Sequence, residues 1–191
     1  MEKNYGDKNM TIETQRLFLR PFAETDAEDV YEYLHEPAVN CFTDMKLNSY
    51  EDAKAEMKKR CGKKDFYFAI TLKDTGKVIG EIFGEPETTR PEDNVADTFS
   101  PCWMLNASYQ GKGYAYEAAK AYFDYLFNAK GIRRIYAYTE DYNISSRRLC
   151  EKLGMRREGL FTEFISFVKN ADGTPHYENT YQYAILKKEW H

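Results

Sequence analysis

The spacing of apolar and polar residues along the chain predicts short strands alternating with amphipathic helices. Arg16 to Arg20 alternates polar and apolar side chains and stops at Pro21, as a strand does. A longer helical pattern runs from Tyr114 to Asn128 and ends before Gly131. The same criteria predict further strands over Phe66–Leu72, Val78–Phe83, Phe99–Leu105, Arg134–Thr139, Phe161–Val168 and Thr180–Leu186, and helices from Thr25, from Ser49 and over Ile144–Leu153.

Turn-forming and polar segments connect these elements. Asp74–Lys77 and Asn170–Gly173 predict hairpin turns, whereas Glu85–Asp97 is polar, contains two prolines and is predicted to be a loop. The order β-α-α-β-β-β-α-β-α-β-β predicts an α/β fold with a mixed sheet of six to seven strands and helices on both faces. Residues 1–12 are expected to form a flexible tail before a single domain over residues 13–191.

The charge balance limits the classes of partner. The net charge of −4 argues against nucleic acid, because phosphate binding needs a basic face. No stretch approaches the about 18 consecutive apolar residues of a membrane span, so no membrane partner is expected. Residues 1–10 are polar and lack the apolar segment of a signal peptide. These features predict a cytoplasmic protein.

The cysteine and histidine positions do not predict a metal site. The four cysteines have no C-x-x-C spacing and the three histidines are scattered, which makes structural zinc an unfavourable interpretation. Free buried thiols in a reducing cytosol explain an even cysteine count in a chain of this length. The cysteines are Cys41, Cys61, Cys102 and Cys150.

The segment from Gln110 to Ala115 carries the most specific chemical signal. It lies between a predicted strand and a predicted helix, where the first amides of the helix have no intrahelical partner. Together with the helix dipole these amides form an anion site. Gly111 and Gly113 allow positive φ and a close approach of the backbone to a ligand oxygen, and Lys112 adds a positive charge. The segment therefore predicts a phosphate-binding loop.

Several kinds of loop share this composition. The G-x-x-x-x-G-K-[ST] pattern of a nucleotide-binding P-loop is absent, and a dinucleotide fingerprint would need a third glycine where Tyr116 stands. An ordinary helix start with two turn glycines is as good an explanation of these six residues alone. A nucleotide-binding protein of another fold is a further alternative, with thermal stabilisation by ATP or NAD as its signature.

Two motifs taken in order resemble the GNAT superfamily of N-acetyltransferases. The first is Gln-x-x-Gly-x-Ala over Gln110–Ala115, and the second is the N-x-x-S-x-R-x-x-E-K-x-G pattern from Asn143 to Gly154. The chain around them, from about Glu13 to Trp190, is similar to the branch that acetylates ribosomal-protein N-termini. Matching flanks are Glu13–Pro21, Tyr183–Leu186 and Glu189–Trp190.

The resemblance implies an acyl-CoA N-acyltransferase fold with a mostly antiparallel sheet, and transfer of an acetyl group from acetyl-CoA to a primary amine. The acceptor would be a protein N-terminus or a small-molecule amine, and the enzyme a monomer or homodimer that needs no metal. Ser146 matches a hydroxyl that reaches the sulfur and is the candidate acid for the leaving thiolate. The residues implied in coenzyme A binding are Trp103, Met104, Leu105, Gln110, Gly111, Lys112, Gly113, Tyr114, Ala115, Asn143 and Ser146.

The general base is left open by the sequence. Relatives often carry a glutamate on the strand before the loop, but the matching position is Ser100. Glu81 on the preceding strand is the first substitute, and Asp97 and Glu178 are others. Many relatives also place a tyrosine acid where this chain has Cys150.

The missing glutamate leaves a second hypothesis, an acyl-CoA-binding regulatory module without catalysis. In either case the acceptor cleft is predicted to be shaped by Cys41–Ser49 and Glu85–Asp97.

Overall fold

A computed structural model of the protein describes residues 10–62, 65–90, 92 and 95–191. Its strands form a single mixed sheet. They are β1 (Ile12–Glu13), β2 (Leu17–Arg20), β3 (Tyr67–Leu72), β4 (Val78–Arg90), β5 (Val95–Leu105), β6 (Arg134–Glu140), β7 (Arg156–Lys169) and β8 (Pro175–Leu186). Their order across the sheet is β1-β2-β3-β4-β5-β6-β8-β7. The neighbours β5 and β6 run parallel, and the other neighbouring strands pair antiparallel. The predicted mixed, mostly antiparallel sheet is confirmed.

The helices begin close to the predicted positions. They are α1 (Ala27–Leu34), α2 (Tyr50–Arg60), α3 (Tyr114–Asn128) and α4 (Ile144–Lys152). Helix α2 starts after Ser49, whose side chain accepts a hydrogen bond from the amide of Asp52 and caps the first turn. Gly131, with φ of 72°, lies in the turn that carries the chain from α3 to β6.

Helices cover both faces of the sheet, because alternate strand residues point to opposite sides. In β3, Phe68 and Ile70 belong to the larger core cluster, which includes the buried faces of α3 and α4. Ala69, between them, belongs to a smaller cluster with the buried faces of α1 and α2. The two faces are called the α3/α4 face and the α1/α2 face below.

Two sequence predictions need correction. The sheet has eight strands instead of six to seven, because Ile12 and Glu13 pair with Leu19 and Phe18. Ile12, the last residue of the predicted tail, is therefore in a strand, and residues 1–9 lie outside the described part of the chain.

The predicted loop Glu85–Asp97 was also wrong. β4 and β5 continue through it as a long hairpin with pairs from Glu85–Ser100 to Arg90–Val95. Main-chain pairing overrides the polar composition there, and Pro86 is tolerated because β4 pairs with β3 only as far as Phe83.

The parallel strands β5 and β6 diverge towards their carboxyl ends. They pair at Thr98–Arg134 and Phe99–Ile135, and no later pair joins them along their described lengths. Beyond Phe99, β5 pairs with β4 and β6 pairs with β8. The facing edges of β5 and β6 therefore enclose a wedge-shaped gap that opens towards α3 and α4.

Candidate active site

The predicted phosphate-binding loop lies at the open end of the gap. After β5 the chain makes a short 3₁₀ turn over Ala107–Tyr109 and enters α3 through Gly111 and Gly113, whose φ angles are 73° and 84°. Gly113 is the N-cap of α3, and the first intrahelical bond runs from the amide of Glu117 to the carbonyl of Gly113. The amides of Tyr114 and Ala115 precede that bond and have no acceptor within the helix. The loop thus presents backbone donors at a positive helix end.

Side chains of the loop hold its shape. Gln110 Nε2 donates to the carbonyl of Leu105 at 3.3 Å, and Lys112 Nζ donates to the carbonyl of Ser108 at 3.0 Å. The loop is also fixed from outside by Arg16, which donates to the carbonyl of Lys112 at 3.0 Å and lies over the Tyr114 ring at 4.4 Å. The predicted phosphate-binding residues are therefore brought together in one turn.

Glu117 anchors the helix that carries this loop. Its carboxylate accepts hydrogen bonds from Thr14 Oγ1, the amide of Arg16 and Arg16 Nε, each at 2.7 Å. Partial burial opposes the charged form, but these bonds lower the pKa of Glu117 below its ordinary value. Glu117 thus ties α3 to the turn between β1 and β2.

The end of β5 is held tightly against β4. A Cβ at Gly80 would lie 2.2 Å from the carbonyl oxygen of Met104 and 2.8 Å from a methyl of Leu105. Glycine is therefore required at position 80 for the two strands to approach. Met104 is a core residue of the α1/α2 face, whereas Trp103 and Leu105 pack partly against the α3/α4 core. The backbone edge of Trp103–Leu105 faces the gap, since β5 pairs with β6 only as far as Phe99; its role in coenzyme A binding stays a prediction.

Two predicted site residues meet across the gap. Trp103 Nε1 on β5 donates a hydrogen bond of 3.1 Å to Ser146 Oγ on α4. Ser146 is the acceptor in this bond, so its own O–H remains available to donate. Asn143 caps α4 through Oδ1, which accepts from the amide of Ser146 at 3.2 Å, so its amide nitrogen is left to donate elsewhere.

Cys150, at the position where many relatives have a tyrosine, is fully buried. Burial, and next the charge of Glu151, raises the pKa of its thiol to about 12. A thiol in this state is neither an acid–base group near neutral pH nor a nucleophile. Cys150 is a core residue.

Glu81 lies one strand away from the gap. It is fully buried on the α1/α2 face, where Arg60 of α2, itself 2% exposed, donates a hydrogen bond to Oε2. A buried carboxylate needs such a partner, and breaking the pair would leave an uncompensated charge in the core. These contacts give Glu81 a structural role, and its assignment as catalytic base stays a prediction.

The other candidate bases occupy different places. Asp97 forms an ion pair with Arg133 Nε at 2.8 Å. It directly precedes Thr98, which pairs with β6 at the closed end of the gap. Ser100 directly follows Phe99, the last residue of β5 that pairs with β6, so its hydroxyl lies at the closed end of the gap. Glu178 on β8 is 3% exposed and accepts a hydrogen bond of 2.6 Å from Asn40.

Glu140 was not predicted from the sequence. It ends β6 three residues before Asn143 and is 5% exposed. Burial, and in smaller part the charge of Glu178, raises its pKa. The sequence signal that would have pointed to it is an acidic residue at the end of the strand that precedes the second motif.

The described residues contain no group of three or more histidine, cysteine, aspartate or glutamate side chains arranged to hold a metal ion. Among the described helices, none is long and apolar enough to cross a membrane.

Comparison with known proteins places this geometry in a family. Residues 16–156 match the family model of the acetyltransferase (GNAT) domain. The chain is 37% identical over 186 residues to the uncharacterised N-acetyltransferase YnaD of Bacillus subtilis (strain 168), covering 95% of this chain and 99% of that protein.

Solved structures agree. A GNAT-family acetyltransferase from Bacillus anthracis is 31% identical with a TM-score of 0.79, over 94% of this chain and all of that one (100%). A ribosomal-protein-S5-alanine acetyltransferase from Vibrio fischeri is 19% identical with a TM-score of 0.70, over 95% and 99% of the chains, a likeness of fold alone. The predicted superfamily is confirmed: the protein belongs to the GNAT family and is an N-acetyltransferase.

Proposed function

We propose that the protein transfers an acetyl group from acetyl-CoA directly to a primary amine, with both substrates meeting in the gap between β5 and β6. The observation that carries the proposal is the wedge between two strand edges, ending in a loop of unpaired amides at the start of α3. The amides from Gly111 to Ala115 would hold the pyrophosphate of acetyl-CoA. The edge of Trp103–Leu105 would bind the pantetheine arm as a neighbouring strand would.

The reaction needs three acts from the protein. The acceptor ammonium first loses a proton to a base. The neutral nitrogen then attacks the thioester carbonyl. The carbonyl oxygen accepts a hydrogen bond from a backbone N–H near Leu105. The new C–N bond forms as the C–S bond breaks. The thiolate leaves with the bonding electron pair and is protonated, with Ser146 donating the hydrogen bond. The nitrogen loses its second proton to solvent, so the products are an N-acetyl amide, coenzyme A and one net proton.

The geometry around Ser146 supports this assignment. A hydroxyl is a weak acid, so its contribution is a hydrogen bond aimed at the developing thiolate charge. The bond from Trp103 occupies one lone pair of Ser146 and restricts the directions open to its O–H. A protein N-terminus and a small-molecule amine are both acceptors of the required chemistry. The cytoplasmic location and the monomeric or dimeric state stay predictions.

Two glycine variants test the placement of acetyl-CoA. Gly111 and Gly76 have nearly equal φ, 73° and 74°, and a Cβ on either would meet no atom within 4 Å. Alanine at either position should therefore cost about the same stability, on the order of 1 kcal/mol. Gly111→Ala alone should weaken acetyl-CoA binding, because it adds a methyl to the loop that approaches the pyrophosphate. Gly76 lies in the hairpin turn between β3 and β4 and is the matched control.

The measurement is the melting temperature of each variant with and without acetyl-CoA, beside ATP and NAD. A ligand at 100 times its Kd adds about 2.7 kcal/mol, which is a shift of several degrees. We expect a shift with acetyl-CoA in the wild type and in Gly76→Ala, reduced in Gly111→Ala. Equal shifts in the two variants would remove the loop from the site, and a shift with ATP or NAD alone would overturn the proposal.

A further inference from the structure

A pair of buried carboxylates, called the acidic pocket below, lies beside the gap. It is formed by Glu140 at the end of β6 and Glu178 on β8, which are 5% and 3% exposed. Asn40 donates to Glu178 Oε1 at 2.6 Å, while Glu178 Oε2 is buried and has no hydrogen-bond partner among the described residues. Glu140 pairs with Thr180, two residues from Glu178 on the same side of β8, so the two carboxylates are diagonal neighbours.

The pocket has the chemistry of a cation site. Two of its titratable neighbours are the Cys41 thiol and the Tyr142 phenol. Burial raises the pKa of both groups, and the charge of Glu140 raises that of Cys41 further, as the charge of Glu178 does for Tyr142. Cys41 lies within hydrogen-bonding reach of Glu140 and Tyr142 of Glu178, but neither group supplies a positive charge. A buried carboxylate oxygen without a donor is unfavourable, and a cation with N–H groups would satisfy it. An alkylammonium supplies one charge and three donors in the volume of one small group.

The acidic pocket lies on the face opposite Ser146. Ile135 and Ala137 of β6 belong to the α3/α4 core, so Glu140, one residue out of step with them, points to the α1/α2 face. Trp103, the partner of Ser146, packs against the α3/α4 core. Acetyl-CoA bound at α3 and α4 and a cation bound at the acidic pocket would therefore approach the gap from opposite sides of the sheet.

An exposed aromatic shelf continues from the acidic pocket along the same face. It consists of Tyr138, Phe161 and Phe164, which are 43%, 37% and 48% exposed. Their ring centroids lie 5.0 to 6.0 Å apart. Tyr138 is two residues before Glu140 on β6, hence on its side of the sheet at about 7 Å along the strand. An apolar patch that ends in a buried acidic site is shaped for a molecule with an apolar body and a cationic end.

We propose that the acceptor is a primary amine carried on an aromatic body, whose ammonium enters the acidic pocket while the body lies on the aromatic shelf. Glu178 Oε2 takes one proton from the ammonium nitrogen, leaving a neutral amine and a neutral carboxylic acid that later releases the proton to solvent. This inference rests on the proposed acetyl transfer and names its acceptor class. A polyamine, which would use the charge of the pocket but not the shelf, is the competing acceptor.

The first arm of the test compares three amines at saturating acetyl-CoA. 2-Phenylethylamine tests the body and the cation together, n-propylamine lacks the ring, and spermidine adds charge without a ring. We expect kcat/KM for 2-phenylethylamine to exceed that for n-propylamine about tenfold or more, because the ring buries apolar surface on the shelf. A higher kcat/KM for spermidine than for 2-phenylethylamine would overturn the inference.

The second arm removes the groups one at a time. Glu178→Gln should lower kcat/KM about 100-fold or more near neutral pH, with the deficit shrinking at higher pH where the amine is already neutral. Glu163→Gln removes the same charge from the exposed part of β7 and should leave the rate unchanged. If Glu178→Gln does not fold, Glu140→Gln should raise KM for the amine. A Glu178→Gln deficit that stays constant with pH would refute proton transfer to Glu178.

The shelf has its own control. Phe161→Ser should remove most of the preference for 2-phenylethylamine over n-propylamine, because the shelf loses the ring that contacts the amine body. Tyr177 is 56% exposed and its side chain points to the other face of β8 from Glu178, so Tyr177→Ser should leave the preference intact. An unchanged preference in Phe161→Ser would show that the amine body lies elsewhere.

A binding measurement separates this inference from the proposed function. Calorimetric titration of 2-phenylethylamine into protein saturated with coenzyme A needs no turnover. Binding that Glu178→Gln weakens tenfold or more, with Glu163→Gln unaffected, supports the pocket even if no amine is acetylated. Acetylation of several amines without any effect of Glu178→Gln would leave the proposed function standing and refute the acceptor pocket.

Discussion

Ser146 is the candidate acid for the leaving thiolate, and its removal should slow catalysis without weakening acetyl-CoA binding. Ser146→Ala deletes a donor aimed at the leaving thiolate. A hydrogen bond to a charged group contributes about 1.5–3 kcal/mol, and loss of that much stabilisation from the transition state lowers kcat about 10- to 150-fold. The thioester sulfur is neutral in the ground state, so the KM for acetyl-CoA should change little.

The hydrogen bond from Trp103 to Ser146 allows a second variant to test the same role. Trp103→Phe keeps a ring against the core but removes the N–H that orients the hydroxyl. A neutral hydrogen bond contributes about 0.5–1.5 kcal/mol, so kcat should fall about 2- to 12-fold. If orientation of Ser146 is the reason, Trp103→Phe should cause no further loss in the Ser146→Ala background.

The assay is single-turnover release of the free thiol with excess enzyme, which isolates the chemical step from product release. Ser145→Ala is the matched control, since Ser145 is the exposed neighbour of Ser146 on the same helix. Wild-type rates in Ser146→Ala would remove the hydroxyl from the mechanism. Fully additive losses in the double variant would show that Trp103 acts on pantetheine and not through Ser146.

Three further changes test the supporting structure. Gly80→Ala would place a Cβ 2.2 Å from the carbonyl oxygen of Met104, so β4 and β5 must separate, and both the melting temperature and the affinity for acetyl-CoA should fall; unchanged affinity would contradict the role given to the end of β5. Glu117→Gln should lower the free energy of unfolding by about 1–2 kcal/mol at pH 7, measured in urea. Because the folded pKa of Glu117 lies below its ordinary 4.5, the difference from wild type should be complete above that pH and disappear as pH falls through the folded value; a pH-independent difference would refute the ionic explanation. Glu81→Gln should cost about 3–5 kcal/mol of stability, because the buried Arg60 guanidinium loses its buried carboxylate partner and keeps the partly exposed Glu56; a fully stable but inactive variant would instead make Glu81 the base.

Local sequence signals predicted the fold where they were strongest. The α3 pattern from Tyr114 to Asn128 is periodic over four turns and begins after two glycines, and the structure has those bounds. The strands from Glu85 to Asp97 were missed because a polar strand with a proline shows no alternation of apolar and polar residues. Its pairing comes from the opposite strand, which a local pattern does not record.

The sequence indicated the loop of the candidate site but not the side-chain contacts between residues that are distant in sequence. Gln110–Ala115 could be proposed as an anion site because the residues of such a site at a helix start are consecutive in sequence. The bond from Trp103 to Ser146 joins residues 43 apart, and the pair of Glu140 and Glu178 depends on the register of two antiparallel strands. Glu81 resembled a substitute base because its buried partner, Arg60, lies on a helix that is separate in sequence.

Transfer of the acetyl group to an amine is tested most directly by following free thiol and N-acetylated amine in the same reaction mixture. The account predicts one thiol for each acetylated amine, formed only when both substrates are present, at a rate that Ser146→Ala lowers about 10- to 150-fold. Thiol release without acetylated amine, or a protein that binds acetyl-CoA and acetylates none of the amines offered, would contradict it.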